Sequence, residues 1–170
     1  GGSGSTASAT ASFAHGRGVI ASGNYSVALG SQTKALQPGS FAEGVSTQSY
    51  GFATHAEGQL TVASGNSAHA EGFQSIATGD YSHAEGWLSQ ATGSTSHAEG
   101  YSTKAYGPYA HAEGYITVAT GQNAHAEGQE TSATTYNTHA EGIGTLASAS
   151  GAHAEGNNTK ATGIDSHSQN

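Results

Sequence analysis

The chain has no cysteine, no methionine, two prolines and one tryptophan, and only four Lys and Arg among its 170 residues. Without Cys, neither disulfides nor thiolate metal centres are available, and the redox compartment stays open. Leu, Ile, Val and Phe together number 19, about half the level below which composition signals disorder. That scarcity excludes an ordinary single-chain core of branched aliphatics. No apolar run exceeds a few residues, so neither a transmembrane span nor a secretory h-region is present, and this segment is not expected to insert into a membrane. Four basic residues against twelve acidic ones leave a formal charge of −8, which argues against nucleic acid as a partner.

What is abundant is small. Ala (30) and Gly (26) make up a third of the chain. Histidine is the other excess: protonating all ten would carry the charge from −8 to +2. A self-comparison decides between disorder and structure, because internal repeats precede every other reading. His stands at 55, 69, 83, 97, 111, 125, 139, 153 and 167, always fourteen residues apart. The phase extends back through Phe41, Val27 and Phe13, giving twelve registers without insertion or deletion. The unit reads H-A-E-G-x-x-T-x-A-x-G-x-x-S. Its second position is Ala in every register but the last (Ser168), and its fourth is Gly from Gly16 to Gly156. A chain that keeps phase this long is a solenoid.

A period of seven lies inside the fourteen, as in Ser82-His83-Ala84-Glu85-Gly86 and Ser89-Gln90-Ala91-Thr92-Gly93. Five positions of alternating small and larger residues are a strand signature. Gly then supplies the positive φ or the close backbone approach that a tight turn needs. A glycine every seven residues and frequent Thr argue against helix. The unit is therefore a coil of strand, turn, strand, turn, and twelve coils stacked at about 4.8 Å make a rod about 55–60 Å long. The pleat turns Ser/Thr and Ala inward and sends His and Glu outward. On the second strand the outward columns are Val62 to Lys160 and Ser64 to Thr162. Such a roll buries little within one chain, which points to self-association.

The stretch Ala21-Ser22-Gly23-Asn24-Tyr25-Ser26-Val27-Ala28-Leu29-Gly30 resembles the YadA-like head repeat of trimeric autotransporter adhesins, and the resemblance runs over residues 13–170. The His-Ala-Glu-Gly version is also similar to repeats in phage and prophage tail fibres. The resemblance implies an all-β, left-handed parallel β-roll solenoid of 14-residue coils with two short strands each. It implies three such chains around a threefold axis, displayed at the bacterial cell surface, with a virion tail fibre as the alternative. In that family the residues flanking the first-strand Ala face the trimer interior and are usually apolar. Val27 and Leu29 keep that pattern. The pairs His55/Glu57, His69/Glu71, His83/Glu85, His97/Glu99, His111/Glu113, His125/Glu127, His139/Glu141 and His153/Glu155 depart from it, and they become polar layers on the trimer axis. A column of carboxylates 4.8 Å apart would repel, and a His on the same face relieves this by donating to them. The layers read as a device for register and specificity.

Other chemistries fit less well. Three imidazoles around an axis can hold Zn²⁺ or Ni²⁺, and a metal- or pH-responsive module is the alternative of a different class. Yet every coil repeats the pair, whereas a dedicated metal site is unique, so neither metal nor cofactor is assigned. Catalysis needs unlike groups converging in one pocket, and identical pairs in a ladder do not provide that; no enzyme activity is expected. A calcium-binding β-roll would need many more acidic loops than Asp80 and Asp165 offer. Tyr106 and the mixed neighbouring column spoil the regularity of an ice-binding face.

The turn after the first Gly carries Phe73, Trp87, Tyr101, Tyr115 and Ile143, either a surface stripe for a ligand or a packing surface against a neighbouring chain; packing is preferred. Tyr106, Pro108 and Tyr109 form a smaller patch. Residues 1–12 are expected to be linker and a partial first coil, with Ala7 at the inward position, and residues 13–170 a single roll whose last register is incomplete. Gln37, Thr135 and Ala149 replace the second Gly of their coils, which predicts altered turns and an unbroken ladder. The sequence ends within a unit, as an excised segment of a longer fibre would. The expected role is a non-enzymatic homotrimeric head or shaft presenting an adhesive surface to host cells or matrix. A tail-fibre segment recognising a bacterial surface is the alternative.

Overall fold

A computed structural model describes residues 2–170. The alternating residues form two parallel sheets of twelve strands each, ordered as they occur in the chain. Each strand pairs with those one coil before and after, so His83 lies opposite His97 and Gln90 opposite Lys104. The chain is an all-β parallel solenoid with a fourteen-residue coil, and no helix occurs among the described residues.

The strands differ from five-residue Ser/Thr-to-Gly segments. The first strand of a coil begins at His and runs one residue past Gly, as in His83–Trp87 and His97–Tyr101. The second contracts to two residues, as in Gln90–Ala91. The reason lies in the Ser/Thr that precedes the long strand. Its hydroxyl turns back onto the carbonyl three residues earlier: Ser82 Oγ donates to Gly79 O at 2.6 Å and Ser96 Oγ to Gly93 O at 2.7 Å. Side chains of this type favour such local bonds, and the bond makes the residue part of the turn.

Inside the roll, the Ala columns are sealed, with Ala84, Ala91, Ala98 and Ala105 at zero exposure. Among the described residues, Val19 is the one larger aliphatic that is fully buried. Nothing bulkier than Thr fits elsewhere, because both sheets converge on the same thin interior. One position breaks the apolar column: Ser49 stands where its neighbours above and below are Ala35 and Ala63. The core is thereby divided into an N-terminal cluster from Val19 to Ala42 and a C-terminal one from Ala56 to Ala161. Buried Ser49 Oγ reaches Thr54 O at 3.0 Å and Thr54 Oγ1 at 2.6 Å, which offsets its desolvation.

The two glycines of a coil do different jobs. The first takes positive φ, for example +103° at Gly86 and +118° at Gly100. The second keeps an ordinary φ, but a Cβ on Gly79 would overlap the carbonyl of Gly93 one coil on. Left-handed backbone falls on other residues, twice per coil: Leu88 at +60° and Thr95 at +57° are one such pair. That conformation costs an L-residue roughly 1–2 kcal/mol. The same rotation lets each of these residues bond back to the preceding coil, Leu88 N to Phe73 O at 2.9 Å and Thr95 N to Asp80 O at 2.7 Å. Gly occupies the equivalent place only at a few coils, such as Gly18, Gly39, Gly144 and Gly151.

The ladder is continuous through the coils with substituted glycines. At Gln37 and Ala149 the turns are not altered as expected, while at Thr135 the carbonyl accepts the Thr138 hydroxyl at 2.7 Å. Ser40 N still bonds Gln37 O at 3.1 Å and Ala152 N bonds Ala149 O at 3.0 Å, matching Ser26 N to Gly23 O at 3.2 Å. Gly39 and Gly151 take the left-handed position there and keep the turn's shape. At the N-terminal end, Thr6–Ala7 pairs with Ile20–Ala21, and Ala7 is exposed because no coil covers it.

Candidate functional site

The pleat that buries Ala places the flanking His and Glu side by side on one face of the long-strand sheet. Parallel pairing in register then stacks like on like, so the face is a His column beside a Glu column. Successive imidazole centroids lie 4.7 Å apart for His55–His69 and 4.8 Å for His69–His83, with ring planes 2° and 3° from parallel. Within each coil the imidazole Nε2 lies 3.4–4.0 Å from its own Glu carboxylate, from His55/Glu57 to His153/Glu155. In a single chain these side chains are one-third to one-half exposed, so their pairing is weak in water. The face begins with apolar neighbours: Phe41 packs edge-on against His55 at 4.9 Å. The tenth histidine, His15, sits in the other column, opposite Leu29.

The rungs are not equivalent. His111 and His125 each share a 3.4 Å hydrogen bond with Glu113 and Glu127. At His55, His69, His83 and His97, and again at His139 and His153, the Nε2 atom is shielded from solvent and has no hydrogen-bond partner in the chain. Between His97 and His111 the ring planes turn by 56°, which separates the two stretches. In the first stretch, three sets bring their ligand atoms within 4.8 Å of one another: Glu43/His55/Glu57, His69/Glu71/His83 and His83/Glu85/His97. Beside them runs an open groove of about 440 Å³ lined by Leu29, Glu43, Glu57 and Glu71 and floored by Gly30, Gly44, Gly58 and Gly72. It exists because those glycines have no side chain. At the far end, His153 is held below the ordinary histidine value of 6.5, first by burial and then by the neighbouring His139 and His167, against the pull of Glu155 and Glu141.

Phe73, Trp87, Tyr101 and Tyr115 do come together. They occupy the last ladder position of the long strand rather than a turn, which is why their rings stack coil to coil. The centroids lie 4.8, 6.1 and 5.1 Å apart along the four rings. Ile143 is not in that contact, because Gln129 stands between it and Tyr115. Tyr106 hydroxyl donates to Gln90 Oε1 at 3.0 Å, while Pro108 borders a separate hollow with Thr120 and Tyr136. Sequence reasoning missed the glycine-floored groove and the inequivalence of the His rungs. The first had a signal, a Gly in four consecutive coils that follows Leu29 once and Glu three times; the second had none, since the repeated letters are identical.

A repeating small-residue roll with an outward pair flanking each buried Ala is thus in place. The family described as the YadA head domain repeat matches it twice, over residues 21–47 and 56–82. These two stretches are similar to YadA head repeats. Each matched stretch spans about two coils, and together they cover about a third of the chain. The first copy contains Val27 and Leu29 and the second contains His69 and Glu71. The matched stretches therefore hold an apolar pair at Val27/Leu29, a mixed pair at Phe41/Glu43 and a His/Glu pair at His69/Glu71, all in one parallel register. No curated protein matches the chain. No helix among the described residues is long and apolar enough to cross a membrane.

Proposed function

We propose that the chain is a non-enzymatic head or shaft segment of a homotrimeric surface fibre, a left-handed roll whose outer faces adhere to host cells or matrix. The YadA head repeats carry this reading, and the solenoid agrees with it. The interior of one chain is Ala, Ser and Thr, while large apolar groups such as Trp87 at 50 % and Tyr115 at 46 % exposure stay outside. Burying them against a second chain supplies what the thin core lacks. In the trimer the His/Glu face lies along the axis as polar layers, and the aromatic stripe packs against the neighbouring chain. Identical pairs in a ladder form no catalytic constellation.

Sedimentation equilibrium at micromolar concentration tests the assembly: a trimer is expected, and a stable monomer overturns it. Adhesion of labelled protein to host cells and to bacterial cells tests the role. Retention on host cells or matrix supports the adhesin reading, whereas retention on bacterial surfaces alone overturns it in favour of a tail fibre.

A further inference from the structure

We propose that the first stretch of the polar face, from Glu43 to His97, is a binding site for two borderline divalent transition-metal ions per chain, of the Zn²⁺ or Ni²⁺ class. Three independent observations meet there. The donor sets Glu43/His55/Glu57 and His69/Glu71/His83 each gather three ligand atoms within 4.8 Å. The Nε2 atoms of His55, His69 and His83 are shielded from water and lack a well-formed hydrogen bond in the chain, although each lies 3.4–3.6 Å from its own Glu carboxylate, so a metal ion that displaces the proton gains both donors at once. The glycine-floored groove alongside Glu43, Glu57 and Glu71 leaves room for water to complete a coordination shell. A tetrahedral ion with ligands at about 2.0–2.1 Å needs donors about 3.3 Å apart, so the present sets close by up to about 1.5 Å. The partly exposed side chains move that far by rotation about their own bonds.

Charge sets the number. The stretch carries one carboxylate per coil: Glu43 and Glu57 give the first set −2, and Glu71 in the second set is joined by Glu85 one coil on as a nearby charge rather than a ligand. The set His83/Glu85/His97 shares His83 with the set before it, so the two cannot both be filled. Mixed imidazole and carboxylate donors without thiolate select Zn²⁺, Ni²⁺ or Cu²⁺ over Ca²⁺ and Mg²⁺, which take oxygen shells. Beyond His97 no three donor atoms are found within 4.8 Å of one another among the described residues, and His111 and His125 hydrogen-bond their own Glu, so those two rungs are an internal control. All ligands come from one chain, and the proposal does not rest on trimer formation.

The test is calorimetric titration of ZnCl₂ into chelator-treated, dialysed protein, with CaCl₂ as comparison. Sedimentation and circular dichroism are recorded on each variant. The expected result is two Zn²⁺ per chain, with Ca²⁺ at least 100-fold weaker. His55→Asn together with His83→Asn abolishes both sites, or weakens them at least tenfold, and His125→Asn leaves them unchanged. No Zn²⁺ binding, binding that survives His55→Asn with His83→Asn, or equal loss in His125→Asn overturns the proposal. A folded His55→Asn variant alone should retain one ion, which keeps the test decisive if the double variant fails to assemble; two retained ions or none overturns it.

Discussion

Adding one methyl group at Gly72 should destabilise the roll as much as a large core truncation would. A Cβ on Gly72 overlaps the carbonyl oxygen of Gly86 and comes within 3.0 Å of both its carbonyl carbon and its nitrogen. That oxygen is already committed: it accepts Phe73 N–H at 2.8 Å and the Ser75 hydroxyl at 3.1 Å. The φ of +97° at Gly72 is also costly for any L-side chain, at about 1–3 kcal/mol. Displacing the oxygen weakens two hydrogen bonds worth about 0.5–1.5 kcal/mol each. Gly72→Ala is therefore expected to lower stability by roughly 2–6 kcal/mol per chain. Gln74, two residues on, is the matched control, with φ of +54° in the left-handed region. Gln74→Gly relieves about 1–2 kcal/mol of strain and costs about 0.5–1 kcal/mol in chain entropy, leaving stability equal or slightly higher. Urea denaturation at fixed protein concentration reads both, with hydrogen exchange at Phe73 localising the effect. If Gly72→Ala keeps the wild-type midpoint, the ladder is not held at contact distance and the argument for glycine fails.

Replacing His97 by Val and Glu99 by Ile restores the apolar pattern seen at Val27 and Leu29. The trimer should persist with a melting temperature raised in line with about 1–4 kcal/mol, and loss of assembly on sedimentation would show that the polar layer is required. The lowered position of His153 fixes a sign. The unfolded chain binds the proton more readily, so this residue's contribution is full above about pH 6.5 and declines as pH falls below it. Urea midpoints from pH 8 to 5 should fall, and less steeply in His153→Asn; identical slopes would refute the assignment. Trp87, the single tryptophan, is half exposed in one chain. Iodide should quench it weakly in the assembled protein and strongly after dissociation, and equal quenching would remove the stripe from the interface.

The coil length, the parallel ladder and the inward Ala columns were legible because each has a period, and a period survives in the letters. Strand limits were less so: Ser82 reads as strand by alternation, but its hydroxyl bond to Gly79 makes it turn. The left-handed residues gave no warning either, since Leu88 and Thr95 are poor formers of that conformation and are held there by bonds to the coil before. At the polar face the pairing of His with Glu was readable from their spacing. What distinguishes His83 from His111 was not, because both sit in the same His-Ala-Glu-Gly motif and differ only in ring orientation and hydrogen bonding.

The ladder bonds run along the rod, and each coil is tied to the next by a single covalent strand of fourteen residues. Tension between the two ends therefore pulls on one coil's set of hydrogen bonds at a time, starting from an end. Each coil that peels off frees about 46–50 Å of extended chain in exchange for about 4.8 Å of rod. A fibre built this way yields in steps under shear, lengthening about tenfold per lost coil while the coils beyond it stay closed.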